Sequence, residues 1–307
     1  MRQLALLGLF VALSITAVEV AAGAAGAGHH PAATGGLIVY SDGSGPVSVP
    51  HLRLLDVTSG ARRPLAPGRF AHNAAWSPNG TRLVVEDYGS KGNEAPQLAV
   101  IDLRAGGIRR ITHAAALDES PAWSPSGSRI VFSRAPLAGS DDGLWVTSPA
   151  GGGQRHLTYN RFGDTCASWS PDGRQIAFAR YRDFSGARDL WLMRSDGTGE
   201  HRLVVGGSCA AWSPDGTRMA IGKVTGRKIP GCGCYATDLY IGNSSGAGRE
   251  LLIRNGGHPS WSPDGARIVF VRWQGRRTHL WLIDADGTGL RKLTGGLHSQ
   301  RAPAWQP

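Results

Sequence analysis

The chain has 307 residues and a formal net charge of +10. This length could hold two domains, but one repeat occupies residues 35–307 and leaves no room for a second core. The basic balance is compatible with nucleic-acid binding, yet many arginines recur at fixed places in the repeat, as expected for charges on exposed sheet edges. Because the chain also begins with an export pattern, we exclude nucleic acid as its partner.

Residues 1–28 have the pattern of a secretory signal, with a basic second residue, an apolar run from Leu4 to Val18 and small residues after it. The apolar run is short for a membrane span. We therefore predict an exported protein, periplasmic or extracellular, with no stable membrane anchor after signal cleavage. Residues 29–34 form a short linker before the repeat.

Five copies of the pattern W-S-P-x-G follow, and a clipped W-Q-P ends the chain. Their tryptophans stand 43 to 49 residues apart, at Trp76, Trp123, Trp169, Trp212, Trp261 and Trp305. A unit that repeats at this spacing is typical of a propeller blade or a solenoid turn. Each copy contains four short segments rich in β-branched and aromatic residues, separated by turn residues, which predicts antiparallel strands. No segment of the repeats has the apolar period of a helix.

The two ends of the repeat region complement each other. Residues 36–65 hold three predicted strands without the strand that ends in Trp, and residues 301–305 hold only that strand. We therefore predict an all-β fold, a six-bladed β-propeller of four-stranded antiparallel blades, closed by N- and C-terminal strands that share one blade. The predicted organisation is a signal peptide at 1–28, a linker at 29–34 and the propeller at 35–307.

The W-S-P-D-G units, together with the pattern L-W-L-x-D-x-D-G-x-G before a basic strand, resemble the repeats of the TolB-like propeller family over about nine-tenths of the chain. The resemblance implies a six-bladed propeller. It also implies an exported scaffold whose axial funnel or rim holds a partner protein or peptide. TolB itself has an α/β domain ahead of its propeller, where this sequence has only the signal and linker, so the resemblance does not imply a Tol–Pal role.

In a propeller, the loops between fourth and first strands and those between second and third strands lie on one rim. Loops on a rigid scaffold commonly carry binding, and several aromatics on one rim favour a binding surface. Trp273 is the one tryptophan outside the recurring strand positions, so packing of the repeat does not explain it. The candidate binding residues of this rim and the axis are His72, Asn73, Asp118, Glu119, Asp164, Tyr181, Tyr235, His258, Trp273, His298 and Arg301.

All four cysteines are predicted near the same axis. Cys166 and Cys209 lie three residues before a repeat Trp, where the innermost strand begins, and Cys232 and Cys234 lie in a long loop of the fifth blade. Disulfides are the default in an exported protein. Both Cys166–Cys209 and a bridge from Cys209 to Cys232 or Cys234 are candidates. We favour the second, because inner strands of neighbouring blades are expected to stand slightly too far apart for the first. Thiolates with His258 would also suit a soft metal, but we predict neither a metal nor a cofactor.

The sequence therefore predicts an exported, non-catalytic, monomeric scaffold that binds a protein or peptide of the cell envelope through its loop rim and axial funnel. A purely structural envelope protein fits the same pattern. The alternative function is a propeller-type hydrolase or lyase acting on a small sugar or lactone in the funnel. Such enzymes gather acid and base residues or a metal at the axis, and no carboxylate is predicted in the ring of inner-strand starts.

Overall fold

The computed structural model describes residues 36–43, 50–66, 68–137, 142–229, 235–275 and 277–307. These residues form 24 strands, arranged in six four-stranded antiparallel sheets. The described part of the chain contains no helix, and therefore none long and apolar enough to cross a membrane. The signal and linker predicted for residues 1–34 lie outside the described residues and stay predictions.

Each sheet is one blade. Blade 1 consists of β24 (Ser299–Trp305), β1 (Leu37–Gly43), β2 (His51–Asp56) and β3 (Arg62–Pro64). Blade 2 consists of β4 (Ala71–Trp76), β5 (Arg82–Asp87), β6 (Gln97–Asp102) and β7 (Ile108–Arg110). Blade 3 consists of β8 (Ala116–Trp123), β9 (Ile130–Pro136), β10 (Gly143–Thr147) and β11 (Arg155–His156).

Blades 4 to 6 repeat the pattern. Blade 4 consists of β12 (Asp164–Trp169), β13 (Gln175–Tyr181), β14 (Arg188–Arg194) and β15 (His201–Val204). Blade 5 consists of β16 (Gly207–Trp212), β17 (Arg218–Lys228), β18 (Tyr235–Asn243) and β19 (Glu250–Ile253). Blade 6 consists of β20 (Gly256–Trp261), β21 (Arg267–Gln274), β22 (Arg277–Asp284) and β23 (Arg291–Lys292).

The prediction of a six-bladed propeller closed by its own ends is confirmed. The first strands of neighbouring blades contact one another in a complete ring, which places them around the axis. In blade 1 this inner position is taken by the last strand of the chain, which pairs antiparallel with β1 so that Trp305 stands opposite Ile38. Closure of this kind leaves no open blade interface.

The S-P-D-G segments form the tight turns between first and second strands, as predicted. In blade 4 the Gly173 amide donates to the Ser170 carbonyl oxygen at 2.9 Å, and the Ser170 hydroxyl accepts from the Gln175 amide at 2.9 Å. Gly173 has a φ of 70°, which glycine adopts without the steric cost other residues meet. The repeated motif is therefore explained by turn chemistry.

The apolar core is divided among the blade interfaces. Each of six hydrophobic clusters joins the facing sides of two adjacent blades. Successive residues of one second strand pack toward different neighbours: Val84 belongs to the cluster with blade 3, whereas Leu83 and Val85 belong to the cluster with blade 1. This explains why these strands are apolar at consecutive positions, since both of their faces are buried.

Several repeat arginines serve packing between blades, which corrects their interpretation as purely solvated edge charges. Arg82 lies over the Trp123 ring at 5.3 Å, Arg218 over Trp261 at 4.9 Å, and Arg267 over Trp305 at 5.5 Å. In each pair the tryptophan belongs to the next blade around the ring. These three arginines therefore take part in cation–π packing between blades.

Candidate functional site at the axis and loop rim

The inner strand of every blade is interrupted by a register shift just before its tryptophan. Such a shift is a β-bulge, and bulges commonly re-aim side chains near functional sites. The position three residues before the Trp adopts a left-handed backbone in five of the six blades, at Asn73, Ser120, Cys166, His258 and Ala302. This conformation is uncommon for residues other than glycine. The ring of residues predicted beside the axis is therefore a ring of bulges.

Bulge residues of neighbouring blades are tied together by side-chain contacts. Glu86 of β5 accepts hydrogen bonds from the Asn73 amide group and from the backbone amide of Ser120 in blade 3, both at 2.6 Å. The Thr165 hydroxyl donates to the Ser120 hydroxyl at 3.3 Å, which connects blades 3 and 4. The inner ring is thus held by polar contacts as well as by its packed tryptophans.

Glu86 is a site residue that the sequence reasoning missed. Its carboxylate is almost fully buried and contacts two bulge residues, although Glu86 belongs to a second strand and not to the inner-strand starts. The sequence does contain a signal for it, because Glu86 is acidic at a repeat position where the other second strands have no acidic residue. Counted from the strand pairing, these equivalents are Ser41, Ser133, Ala179, Gly222 and Val271.

Two glutamates of this region have opposite ionisation tendencies. Burial opposes ionisation of Glu86, but hydrogen bonds and charge from His72, together with the donors Ser120 and Asn73, outweigh it and hold its pKa below the ordinary value. Burial, followed by the negative charge of Glu86, raises the pKa of Glu119 to about 7. Burial and the same two carboxylates also raise the pKa of Tyr88.

Asp118 and Asp164 are held inside their blades by ion pairs. Both oxygens of Asp118 accept from Arg134, at 2.6 and 2.8 Å, and those of Asp164 accept from Arg180, at 2.9 and 2.8 Å. Both carboxylates are buried. Their two oxygens are occupied by internal partners, so these predicted rim residues are not brought together with the others as a free binding group.

The structure joins Cys166 to Cys209 in a disulfide between the inner strands of blades 4 and 5. The preference for a bridge from Cys209 to Cys232 or Cys234 was therefore wrong. The bulges bring the two Cα atoms to 5.1 Å, well within the range for a disulfide, whereas regular strands were expected to stand too far apart. Cys232 and Cys234 lie outside the described residues.

His258 lies beside this disulfide, and the ligand atoms of Cys166, Cys209 and His258 are all within 4.8 Å of one another. Cys166 and Cys209 are half-buried, and His258 keeps exposed surface although neighbouring groups surround its imidazole. This surrounding protein, followed by the positive charges of Arg188, His72 and Arg301, holds the pKa of His258 below its ordinary value.

The axis has a basic side. Arg188 donates from Nη1 to the Tyr181 hydroxyl at 3.0 Å and lies 5.5 Å from that ring, while Arg301 is exposed on β24. Within the described residues, neither arginine forms an ion pair with a carboxylate. Two cations without acidic partners therefore remain available to a ligand at this end.

The rim of blade 4 carries an exposed aromatic pair. Phe184, which is 82% exposed, packs edge-on against Phe162 with ring centroids 5.0 Å apart, and Arg161 lies 4.9 Å over Phe162. The two phenylalanines come from the two kinds of loop that share this rim. Phe162 was not among the predicted residues, because a single aromatic in a loop carries no signal of its partner.

The remaining predicted residues are spread around the rim. Tyr235 is exposed at the start of β18, Trp273 is half-buried near the end of β21 opposite Thr278, and His298 is exposed just before β24. His72 donates from Nδ1 to a carboxylate oxygen of Glu86 at 3.2 Å. The arrangement offers aromatic, cationic and imidazole groups on one face, a combination suited to binding.

These features define the class of the protein: a closed six-bladed β-propeller with a polar axis and an aromatic, basic loop rim. A family model described as the TolB beta propeller domain matches residues 136–307, which is more than half of the chain. The chain therefore belongs to the TolB beta propeller domain family. A search of curated protein sequences gives no match.

Similar folds occur among solved structures. TolB from Acinetobacter baumannii is 20% identical, with a TM-score of 0.72 over 89% of this chain and 67% of that chain. The putative TolB from Agrobacterium tumefaciens is 18% identical, with a TM-score of 0.65 over 85% of this chain and 90% of that one. An oligogalacturonate lyase from Vibrio parahaemolyticus is 16% identical, with a TM-score of 0.53 over 76% and 71%. At these identities the similarity shows the fold alone.

Proposed function

We propose that this protein is an exported propeller scaffold that binds a protein or peptide of the cell envelope through its loop rim and axial funnel. The observation that carries the proposal is the exposed pair of Phe184 and Phe162 with Arg161 over it. Aromatic residues, including Phe, and arginine are enriched at protein interfaces, and this patch joins both on one rim.

The partner segment that fits is acidic with an apolar anchor. Arg188 and Arg301 have no carboxylate partner among the described residues and lie near His258 at the axis. A carboxylate of the partner would complete charge-assisted hydrogen bonds there. Export rests on the leader pattern of residues 1–28 and would be supported by recovery of a shortened chain from the exported fraction.

Partner binding is tested with the mature protein carrying a photo-crosslinking residue on the rim, incubated with a cell-envelope extract. Phe184→Ala and Arg301→Gln are expected to lower the yield of one defined cross-linked species by roughly tenfold each, the loss typical of an interface hot spot. Leu251→Ala and Arg174→Gln are matched controls, because both residues are exposed and lie away from the rim. Equal effects of rim and control substitutions, or no saturable species, would argue against the proposal.

We do not propose the alternative of a hydrolase or lyase. Glu86, the buried carboxylate at the axis, accepts hydrogen bonds from His72, Asn73, Ser120 and Tyr88, which suits a structural role. The similarity to a lyase is one of fold.

A further inference from the structure

Three metal-ligating side chains converge on the axis from consecutive blades, apart from the Glu86 network. Cys166 comes from β12, Cys209 from β16 and His258 from β20, and their ligand atoms lie within 4.8 Å of one another. None of the three residues is fully buried. Each of them therefore keeps surface that a small ion can reach.

The bulges hold this arrangement in place. Cys166 has a φ of 53° and His258 a φ of 50°, and left-handed backbones of this kind persist only where the surrounding structure enforces them. Because the strands belong to a closed ring, the three residues do not depend on a flexible loop for their position. A rigid backbone of this kind is what a metal site requires of its ligands.

Two cysteine thiolates and one imidazole favour a soft cation as their ligand partner. Thiolate ligands favour Cu⁺ and Zn²⁺, and imidazole suits both. Three protein ligands leave a fourth position for water or substrate, as in open zinc sites. The adjacent Arg188 and Arg301 would offset the negative charge that two thiolates bring to the axis.

The disulfide found in the structure has no thiolate to offer, so binding requires reduction. A thiolate of an external dithiol attacks one sulfur of the Cys166–Cys209 bond, and the second thiol of the reductant then resolves the mixed disulfide. Two electrons pass to the protein, which gains two thiols, and the reductant becomes a cyclic disulfide. Metal binding then releases the thiol protons.

We propose that reduction of the Cys166–Cys209 disulfide creates a site for a single soft cation, Cu⁺ or Zn²⁺, with His258 as the third ligand. Oxidation closes the site by forming the disulfide. The axis of this propeller is then a metal site whose occupancy depends on the thiol redox state.

The site is tested by titrating the anaerobic mature protein with Zn²⁺, and separately with Cu⁺, against a chromophoric chelator. The protein carries Cys232→Ser and Cys234→Ser, so that Cys166 and Cys209 are its two remaining thiols. The reduced form is expected to bind one ion per chain and the disulfide form none. His258→Asn is expected to weaken binding by at least the tenfold typical of losing even an outer-shell partner. Asn is chosen because it tolerates a left-handed backbone.

His298→Asn is the matched control, since His298 is exposed on the same face but is not part of the cluster. A thermal melt of the reduced protein is recorded alongside. The proposal is overturned if reduced protein binds neither ion, if it no longer melts as a folded protein, or if His258→Asn and His298→Asn bind the metal equally well.

Discussion

Two carboxylates near the axis show how strongly position determines the behaviour of one residue type. Glu86 is stabilised as an anion by His72, Ser120 and Asn73, although burial opposes it. Burial, followed by the negative charge of Glu86, raises the pKa of Glu119 to about 7. In the unfolded chain both glutamates would ionise near their ordinary value, so each makes the stability of the propeller depend on pH in an opposite sense.

The ionisation of Glu119 makes the propeller less stable as the pH rises. Below the ordinary value of 4.5 it is protonated in both states, and between 4.5 and about 7 the unfolded chain releases the proton while the propeller retains it. Glu119→Gln, which mimics the protonated form, is therefore expected to be more stable than the parent by about 2 kcal/mol at pH 8, allowing for solvent screening. Little difference is expected at pH 4.5.

The measurement is the free energy of unfolding by denaturant at both pH values. Glu250→Gln, at an exposed position on β19, is the control. A difference between Glu119→Gln and the parent that is the same at pH 4.5 and pH 8 would contradict the assignment.

The two classes of tryptophan are expected to respond differently to substitution. Trp169 packs in the cluster between blades 3 and 4, and its replacement by alanine should cost about 3–5 kcal/mol of unfolding free energy. Trp273 is half-buried on the rim, so Trp273→Ala should cost less than about 1 kcal/mol while weakening partner binding. Denaturant titration of both variants checks the ranking, and the reverse order would place Trp273 in the core.

At the scale of single elements, the sequence predicts the regular parts and misses the irregular ones. Strands, turns and tryptophans follow from local chemistry that repeats in every blade, so their prediction needed no knowledge of distant contacts. The bulges before each Trp are not visible in the sequence, because the residues there have nothing in common. This is why Cys166–Cys209 was the less favoured of the two candidate pairings: regular strands would keep the Cα atoms apart, and the bulges bring them to 5.1 Å.

The last strand is expected to be essential for closure. Deletion of Arg301–Pro307 removes most of β24 and the Trp305 that packs between blades 6 and 1. The adjacent inner strands then lose their neighbour, so we expect loss of the cooperative thermal transition rather than a small shift. Circular dichroism melts of the mature protein and the deletion variant provide the test. A variant that melts cooperatively within a few degrees of the parent would show that blade 1 does not need β24.

At the scale of the whole molecule, the core is a chain of interfaces shared between neighbours. Each hydrophobic cluster belongs to two blades, so no blade buries its own apolar surface alone. Blade number and closure could be predicted because the repeat counts them. The roles of Asp118 and Asp164 could not be predicted. The sequence does not show whether a carboxylate near the rim faces solvent or pairs with an internal arginine such as Arg134.

Because both ends of the repeat region lie in blade 1, the chain could begin and end at another blade without a change of fold. The backbone amide of Gln306 donates to the Leu37 carbonyl oxygen at 2.8 Å, so the two ends of the repeat region are already neighbours. A short linker from Pro307 to Gly36 should therefore permit circular permutation, with new termini opened between Asp172 and Gly173. The permutant would move the seam to blade 4, where β12 and β13 would meet as β24 and β1 now do. It is expected to refold with a single cooperative transition, since in a closed ring any blade can serve as the place where the chain begins and ends.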